Sequence, residues 1–358
     1  MDREQPDSLA PTGNVSFVKL PRRWFIACRS DELRATPIAR VVQGVPLAIA
    51  RLDGKPAAFA DRCPHRNAPL SIGRVKGAAL ECPYHGWQFD GVGQCLAIPG
   101  LCAADVDAKA RRATSFAARE QDGYVWVYSS PDETPAREPY AFAHLRDAGY
   151  ATVRREFTVK ATMHATAENA LDVPHTAFLH GGLFRTARKE NEIDVVVRRT
   201  TEMVEAEYLG EPRPPGLAAR ILAPGGGVVT HFDRFLLPSI AQVEYRLGED
   251  SHLLITSAMT PVTETETRLY AVVTFRTPLP AAILKLVLMP VALRIFRQDA
   301  VILSQQTETI RRFGGERFAN TEIDVLGQQM WRLLKQAERG DGAPGGEPEI
   351  VERLRMRV

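Results

Sequence analysis

The chain has 358 residues, 45% of them hydrophobic and 25% charged, with 45 basic side chains set against 43 acidic ones. At roughly 100 to 200 residues per domain this predicts about two globular domains, and the composition excludes a disordered, fibrous or disulfide-stapled protein. A net charge of only +2 offers no electrostatic footprint for nucleic acid or an anionic membrane, so the expected partner is a small neutral molecule.

The opening segment, MDREQPDSLAPTG, is polar and acidic and lacks the basic and apolar regions of a secretory signal, which predicts a cytoplasmic protein. From Phe17 to about Tyr128 the chain reads as short strands closed by Gly, Pro, Asp or Ser: WFIAC, PLAIARLDG, AAFADRC, ALECPYHGWQFDGVG and YVWVYSS. This is a small all-β domain over 17–130. A polar, Pro-containing stretch from Ser129 to Tyr150 suits a domain connection.

A second domain is expected over 150–340. It opens with a strand, ATVRREFTVKA, continues as helix from Thr162 to about His180, and then alternates as EIDVVVRRT, MVEAEYLG, HFDRFLLP, IAQVEYRLG, HLLITSAMTPV and RLYAVVTFR, the pattern of an antiparallel sheet. Helix follows Pro278 to about Arg312, with another near Asp324 to Arg339, a Gly/Pro-rich break, GDGAPGGEPE, and a tail over 341–358. The apolar run Leu279 to Ile295 is shorter than the ~20 residues of a spanning helix. It also contains Lys285, Pro290 and Arg294, so it reads as a buried or pocket-lining helix, with membrane-surface contact as the alternative.

Cys63-Pro-His65 and Cys82-Pro-Tyr-His85 are separated by sixteen residues and each loop delivers one thiolate and one imidazole. A [2Fe–2S] centre in which one iron takes two thiolates and the other two imidazoles needs this mixed delivery, whereas a zinc finger groups like ligands. A structural zinc site is the competing reading. Cys28, Cys95 and Cys102 lie outside the pattern and read as buried thiols.

Glu168 to His180 concentrates a carboxylate, Asn169, Asp172, His175 and His180 in an otherwise apolar helical stretch. Five residues put the two histidines about 140° apart on a straight helix, so binding one metal requires a break, for which Pro174 supplies the cause. Two imidazoles and one carboxylate make the facial triad of a non-haem Fe(II) oxygenase with open positions for O2. Asp299 is the acid chosen as third ligand, being the lone carboxylate in the apolar helix from Pro278 to Ser304. The rivals are Asp233, which reads as a surface or salt-bridged strand residue, and Glu168. Asp172, about 60° from His175, is placed to accept a hydrogen bond from its imidazole, with a helix-terminus acid as the plain alternative. Asn169 reads equally as a capping residue. His164 and His231 are lone histidines and are not assigned a catalytic role.

The segments CPHRNAPLS and CPYHGWQFDGVGQC resemble the Rieske family. N-x-x-D-x-x-H-x4-H with a late aspartate resembles the catalytic α subunit of Rieske non-haem iron ring-hydroxylating oxygenases, over roughly residues 20 to 315. The resemblance implies an α+β protein, a small all-β Rieske domain followed by a helix-grip (START-like) antiparallel sheet with a long C-terminal helix. It implies a [2Fe–2S] cluster on Cys63, His65, Cys82 and His85, and a mononuclear Fe(II) on His175, His180 and Asp299, with Asn169 beside the iron. On that pattern Asp172 bridges a ligand histidine to a Rieske histidine of the neighbouring subunit. The compact chain looks like the homotrimeric, β-subunit-free members, which include monooxygenases and demethylases.

The expected function is a terminal oxygenase that uses O2 to hydroxylate or demethylate a mostly apolar small molecule. The chain shows no flavin or nicotinamide fingerprint, a GxGxxG that joins a strand to a helix, so NAD(P)H acts only indirectly, through a separate ferredoxin or flavin reductase. The alternatives are aromatic cis-dihydroxylation and a non-catalytic hydrophobic-ligand-binding protein.

Overall fold

The computed structural model describes residues 14–102, 109–180, 192–211, 229–249, 251–278, 280–340 and 349–357. The polar opening segment and most of the Gly/Pro-rich break therefore lie outside the described residues.

The N-terminal part is built on a six-stranded antiparallel sheet of β1 (Trp24–Arg29), β2 (Ile38–Val42), β3 (Val45–Leu52), β4 (Lys55–Ala60), β9 (Ser115–Gln121) and β10 (Tyr124–Pro131), in the order β1-β10-β9-β4-β3-β2. Two of its hairpins turn on Asp53-Gly54 and Asp122-Gly123, with positive φ at both residues of each pair (46° and 76°, 54° and 82°). That is the two-residue turn whose twist matches the flanking strands. β3 shows why so apolar a strand is stable here. Successive side chains point to opposite faces: Leu47 and Ile49 enter the main core, while Ala48, Ala50 and Leu52 enter a second core. The second core lies under a four-stranded sheet of β5 (Arg74–Lys76), β6 (Ala79–Glu81), β7 (Gln88–Phe89) and β8 (Cys95–Ala97), and it contains Cys63 and Cys82.

The C-terminal part is an eight-stranded antiparallel sheet in the order β11-β17-β16-β15-β14-β13-β12-β18. Its strands are β11 (Ala151–Val159), β12 (Glu192–Arg199), β13 (Met203–Leu209), β14 (Val229–Leu236), β15 (Ile240–Leu247), β16 (Ser251–Thr263), β17 (Glu266–Arg276) and β18 (Glu349–Arg357). Helix α1 (Met163–Leu171) lies on this sheet, its Met163, Ala167 and Leu171 at helical spacing packing in one core with Ala206, Phe235, Ala241 and Met259. The short α2 (His175–Leu179) follows. The long α3 (Ala281–Arg312) sets Phe296 against Phe157 of β11, ring centroids 4.6 Å apart. Helix α4 (Gly327–Arg339) buries Met330, Leu333 and Leu334. The two parts share a core and backbone bonds: Gln43 and Gly44 N–H donate to Pro261 and Val262 carbonyls at 2.7 and 3.0 Å, and Thr260 Oγ1 donates to the Ile26 carbonyl at 2.7 Å. The α+β architecture is the one expected.

Three elements differ from the sequence reading. The segment read as a tail carries β18, which pairs antiparallel with β12 from Glu192↔Arg357 to Arg199↔Glu349; its charged, alternating sequence suits an edge strand. The apolar helix read as buried or pocket-lining is not buried: no described side chain from 281 to 295 is buried and Leu286 is 78% exposed, while Arg294 at its end lines a cavity with Leu179 and Gln298. Deep burial on α3 begins further on, at Leu303 and Thr307. Cys102 is exposed, whereas Cys28 and Cys95 are buried as expected. No helix among the described residues is long and apolar enough to cross a membrane.

Candidate metal centres

The loops Cys63–Ala68 and Cys82–Trp87 repeat one hydrogen-bond pattern. The fourth residue after each cysteine, Asn67 or Gly86, donates its N–H to the cysteine carbonyl at 2.9 or 3.1 Å, and the fifth, Ala68 or Trp87, accepts the cysteine N–H at 2.8 Å. Such a tight return needs a left-handed residue, and Asn67 and Gly86 have φ of 61° and 69°. The thiols are 1% and 3% exposed in the second core. The imidazoles sit further out, His65 half-buried and His85 exposed, with ring centroids 4.5 Å apart and Trp87 stacked on His65 at 4.7 Å.

Thiol lies with thiol and imidazole with imidazole, which is the division a Rieske cluster makes between its two irons. Burial above all, with Cys82 beside it, pushes the Cys63 thiol up to about 11, so metal must displace its proton. Desolvation, then the neighbouring His85 and Arg66, pulls His65 below its usual value, favouring the neutral ligand form. Its buried Nδ1 has no hydrogen-bond partner. The residues fit the cluster.

The second centre is made by a broken helix. Thr162 caps α1, its side chain accepting the Ala165 N–H at 3.0 Å, and the helix stops at Leu171, before Val173-Pro174. A residue preceding proline is disfavoured in helical conformation, and Asp172 is extended at φ −86°, ψ 110°. Pro174 then starts α2 with a helical backbone, as its fixed φ allows. The break swings His175 and His180 together, ring centroids 5.1 Å apart. Asp299 on α3 completes the set: His175, His180 and Asp299 place ligand atoms within 4.8 Å of one another, the one such grouping of three found among the described residues.

Each imidazole turns Nε2 to Asp299 Oδ1, His175 at 3.6 Å and His180 at 3.1 Å. The other ring nitrogens face acceptors, His175 Nδ1 lying 3.3 Å from Asp172 Oδ2 and His180 Nδ1 3.0 Å from Gln298 Oε1. This fixes ring orientation from outside the ligand set. Asp172 also accepts the His175 backbone N–H at 3.3 Å, and Asn169 Nδ2 reaches Asp299 Oδ1 at 3.4 Å. Burial disfavours a charged His175, but hydrogen bonds to Asp172 and Asp299 outweigh it and raise the group to about 9. His180 Nε2 is buried and makes no hydrogen bond. A divalent cation suits both the paired negative charge and the orphaned nitrogen.

All five residues expected around this centre are brought together. Gln298 was missed, since a glutamine before the chosen aspartate carries no signal until α3 is seen to face His180. The rival Asp233 is not a surface residue: it is 1% exposed and pairs with His231 at 3.0 Å. Glu168 and His164 instead face α4, the His164 ring lying 3.0 Å from the Gly327 carbonyl.

A two-sheet domain with paired Cys-x-His and Cys-x-x-His loops, joined to a helix-covered antiparallel sheet with a two-histidine, one-carboxylate centre, defines a Rieske-type oxygenase architecture. Residues 23–108 match the Rieske [2Fe-2S] domain family, and residues 159–340 match the vanillate O-demethylase oxygenase C-terminal domain family. The chain belongs to the Rieske non-haem iron oxygenase family, in the vanillate O-demethylase oxygenase branch. It is 36% identical over 171 residues to the oxygenase component of dicamba O-demethylase from Stenotrophomonas maltophilia, covering 46% of this chain and 48% of that protein. It is 33% identical over 166 residues to methylxanthine N1-demethylase NdmA from Pseudomonas putida, covering 44% and 47%. These alignments span about half the length of the relatives. In fold, the chain is similar to dicamba monooxygenase bound to 3,6-dichlorosalicylic acid, with a TM-score of 0.73 at 24% identity over 90% of this chain and 98% of that one.

Proposed function

We propose that this chain is a terminal oxygenase component that uses O2 and electrons from a separate ferredoxin or flavin reductase to hydroxylate, or oxidatively demethylate, a mostly apolar small organic molecule. The observation that carries the reading is the convergence of His175 Nε2, His180 Nε2 and Asp299 Oδ1, with His180 Nδ1 bonded to Gln298 and His175 Nδ1 facing the Asp172 carboxylate at 3.3 Å. His175, His180 and Asp299 would hold ferrous iron, which would supply activation of O2. Cys63, Cys82, His65 and His85 hold the [2Fe–2S] cluster in this reading. Asn169, Asp172 and Gln298 keep the iron ligands aimed. The relatives that demethylate dicamba and methylxanthine support a methyl on oxygen or nitrogen as the oxidised carbon, because its hydroxylated product falls apart to formaldehyde and the demethylated compound. The domain division is 17–130 and 150–340.

Asp172 links His175 to a Rieske histidine of a neighbouring copy in a homotrimer. His85 is exposed, the Asp172 side chain is 33% exposed, and Tyr84 and Phe178, one beside each ligand set, are 66% and 83% exposed, which supports a surface at each centre that a second copy covers.

Purified protein should be red-brown, with about three irons per chain and sulfide matching the cluster pair. His175→Ala and Asp299→Ala should keep the Rieske absorption and lose one iron and all turnover. Substrate incubation under 18O2 should place one labelled oxygen in a hydroxylated product or, for demethylation, in the hydroxymethyl carbon released as formaldehyde, whereas two on one ring would mean dihydroxylation. Zinc in place of iron, or loss of iron and activity in Asp233→Ala with Asp299→Ala unaffected, rejects the assignment.

A further inference from the structure

Where β1 and β2 of the N-terminal part meet β16 and β17 of the C-terminal part, a notch of about 170 Å³ opens between the two sheets, its walls including Ile26, Ala27, Arg40, Thr260, Arg268 and Tyr270. Register sets three of these on one face: Thr260 stands opposite Arg268 across β16 and β17, and Tyr270 lies two residues beyond Arg268. Two hydroxyls fasten the seam, Thr260 donating to the Ile26 carbonyl at 2.7 Å and Tyr270 to the Ala27 carbonyl at 3.3 Å. Neither has a second proton to give.

Two guanidinium groups line the notch, one from each part, Arg40 on β2 and Arg268 on β17, with side chains 19% and 27% exposed. Arg40 spends Nη1 on the Ala39 carbonyl at 2.9 Å and Nη2 on Glu32 Oε2 at 2.5 Å, but its Nε is buried with no acceptor. The Arg268 Nε is buried without an acceptor as well, since the carboxylate paired with it, Glu156 Oε1, lies 3.5 Å away and takes no hydrogen bond from it. A buried donor left without an acceptor forfeits its full desolvation cost, and more so on a charged group. Glu32 and Glu156 already balance the charge of the two arginines, so what the notch lacks is acceptor atoms. Two cationic N–H groups on one small cavity are matched by two oxygens on one centre, which a carboxylate or a phosphate group carries. The volume is close to the ~150 Å³ of a cavity that holds one benzene, which is room enough for such a group.

We propose that this notch binds a small oxyanion, a carboxylate or phosphate group, which accepts from Arg40 Nε and Arg268 Nε and so ties the Rieske-type domain to the catalytic domain. No ligand of either metal centre lines the notch, so the site stands apart from the oxygenase reading. Binding depends on both domains, because an anion held by one arginine alone keeps only half of these hydrogen bonds.

Calorimetric titration of the purified full chain with sodium phosphate and with sodium acetate, at constant ionic strength in chloride, tests it. At least one of the two should bind saturably at one site per chain and raise the thermal midpoint with its concentration, as it must when a ligand is held by the folded state alone. Tighter phosphate assigns a phosphate-bearing ligand, and tighter acetate a carboxylate. Arg40→Gln and Arg268→Gln should each weaken binding at least ~10-fold, the size of one lost charge-assisted hydrogen bond. Arg268→Lys, which keeps the charge but has no Nε–H, should weaken it too, whereas Arg355→Gln, on the exposed strand β18, should leave it unchanged. A cooperative unfolding transition shows that each variant is folded. Absence of saturable binding in wild type, which means that the notch holds water only, overturns the site. So does an equal loss in Arg355→Gln, the mark of a general ion atmosphere, or full binding in the two Arg268 variants.

Discussion

Glu244 shows how a single carboxylate is held on the sheet face opposite the metal site. Arg234 and Arg246 both donate to it, Arg246 Nε at 2.8 Å, and His252 Nε2 lies at 3.0 Å. Burial works against its charge, but the bonds to the two arginines outweigh burial and carry the group down from the usual 4.5 to about 2. A carboxylate depressed on folding stabilises the protein above its unfolded pKa and loses that contribution as pH falls through the folded value. Glu244→Gln should therefore cost about 1–2 kcal/mol at neutral pH, after discounting the shift for solvent screening. In urea unfolding the gap between variant and wild type should stay constant above about pH 5 and shrink below it. A gap that does not change on acidification would mean packing, not charge, is what Glu244 contributes.

At the scale of elements, the approach of α4 to α1 is set by one glycine. A Cβ built on Gly327 would stand 1.8 Å from Glu168 Oε1 and 2.8 Å from its carboxyl carbon. The first turn of α4 thus closes directly over the half-buried Glu168 side chain of the helix that also carries Asn169. The atoms met are the far end of a flexible side chain, so Gly327→Ala should destabilise the protein by only about 1 kcal/mol, the low end for overpacking. The double variant with Glu168→Ala should regain most of the loss, because the clash has a single partner. Thermal unfolding of the two single variants and the double gives the coupling directly, and strictly additive losses would refute this account. The Pro174 break acts at the same scale: it splits a periodic apolar stretch into two helices and so turns two splayed histidines into a converging pair.

At the scale of the whole molecule, the proposed electron path crosses between copies. A Cys82→Ser chain lacks the cluster and a His175→Ala chain lacks the mononuclear iron. Mixed oligomers should recover part of the turnover that neither variant has alone, since one copy's cluster would serve the next copy's iron through Asp172. Activity of co-purified mixed trimers, set against each variant alone, is the measurement. No recovery in verified mixtures rejects the inter-subunit route and leaves transfer within one chain.

The sequence by itself determined what lies close along the chain. Cys63 with His65, Cys82 with His85, and His175 with His180 are each set within a few residues, so local backbone geometry and a proline suffice to pair them. The period-two and helical patterns likewise marked the two domains and their order. Asp299 was legible because an acid in an apolar helix demands a partner. The tertiary structure alone decided the rest. Gln298 acquires its role only when α3 docks beside His180. The edge strand Glu349–Arg357 reads as a charged tail until β12 supplies its hydrogen-bonding partner. Burial of Asp233, its contact with His231 and the stacking of His231 on Tyr208 follow from register across β13, β14 and β15, where a slip of one residue would turn every one of these side chains to the other face. No local pattern encodes such a register, because it is chosen by the packing of the whole sheet against α1.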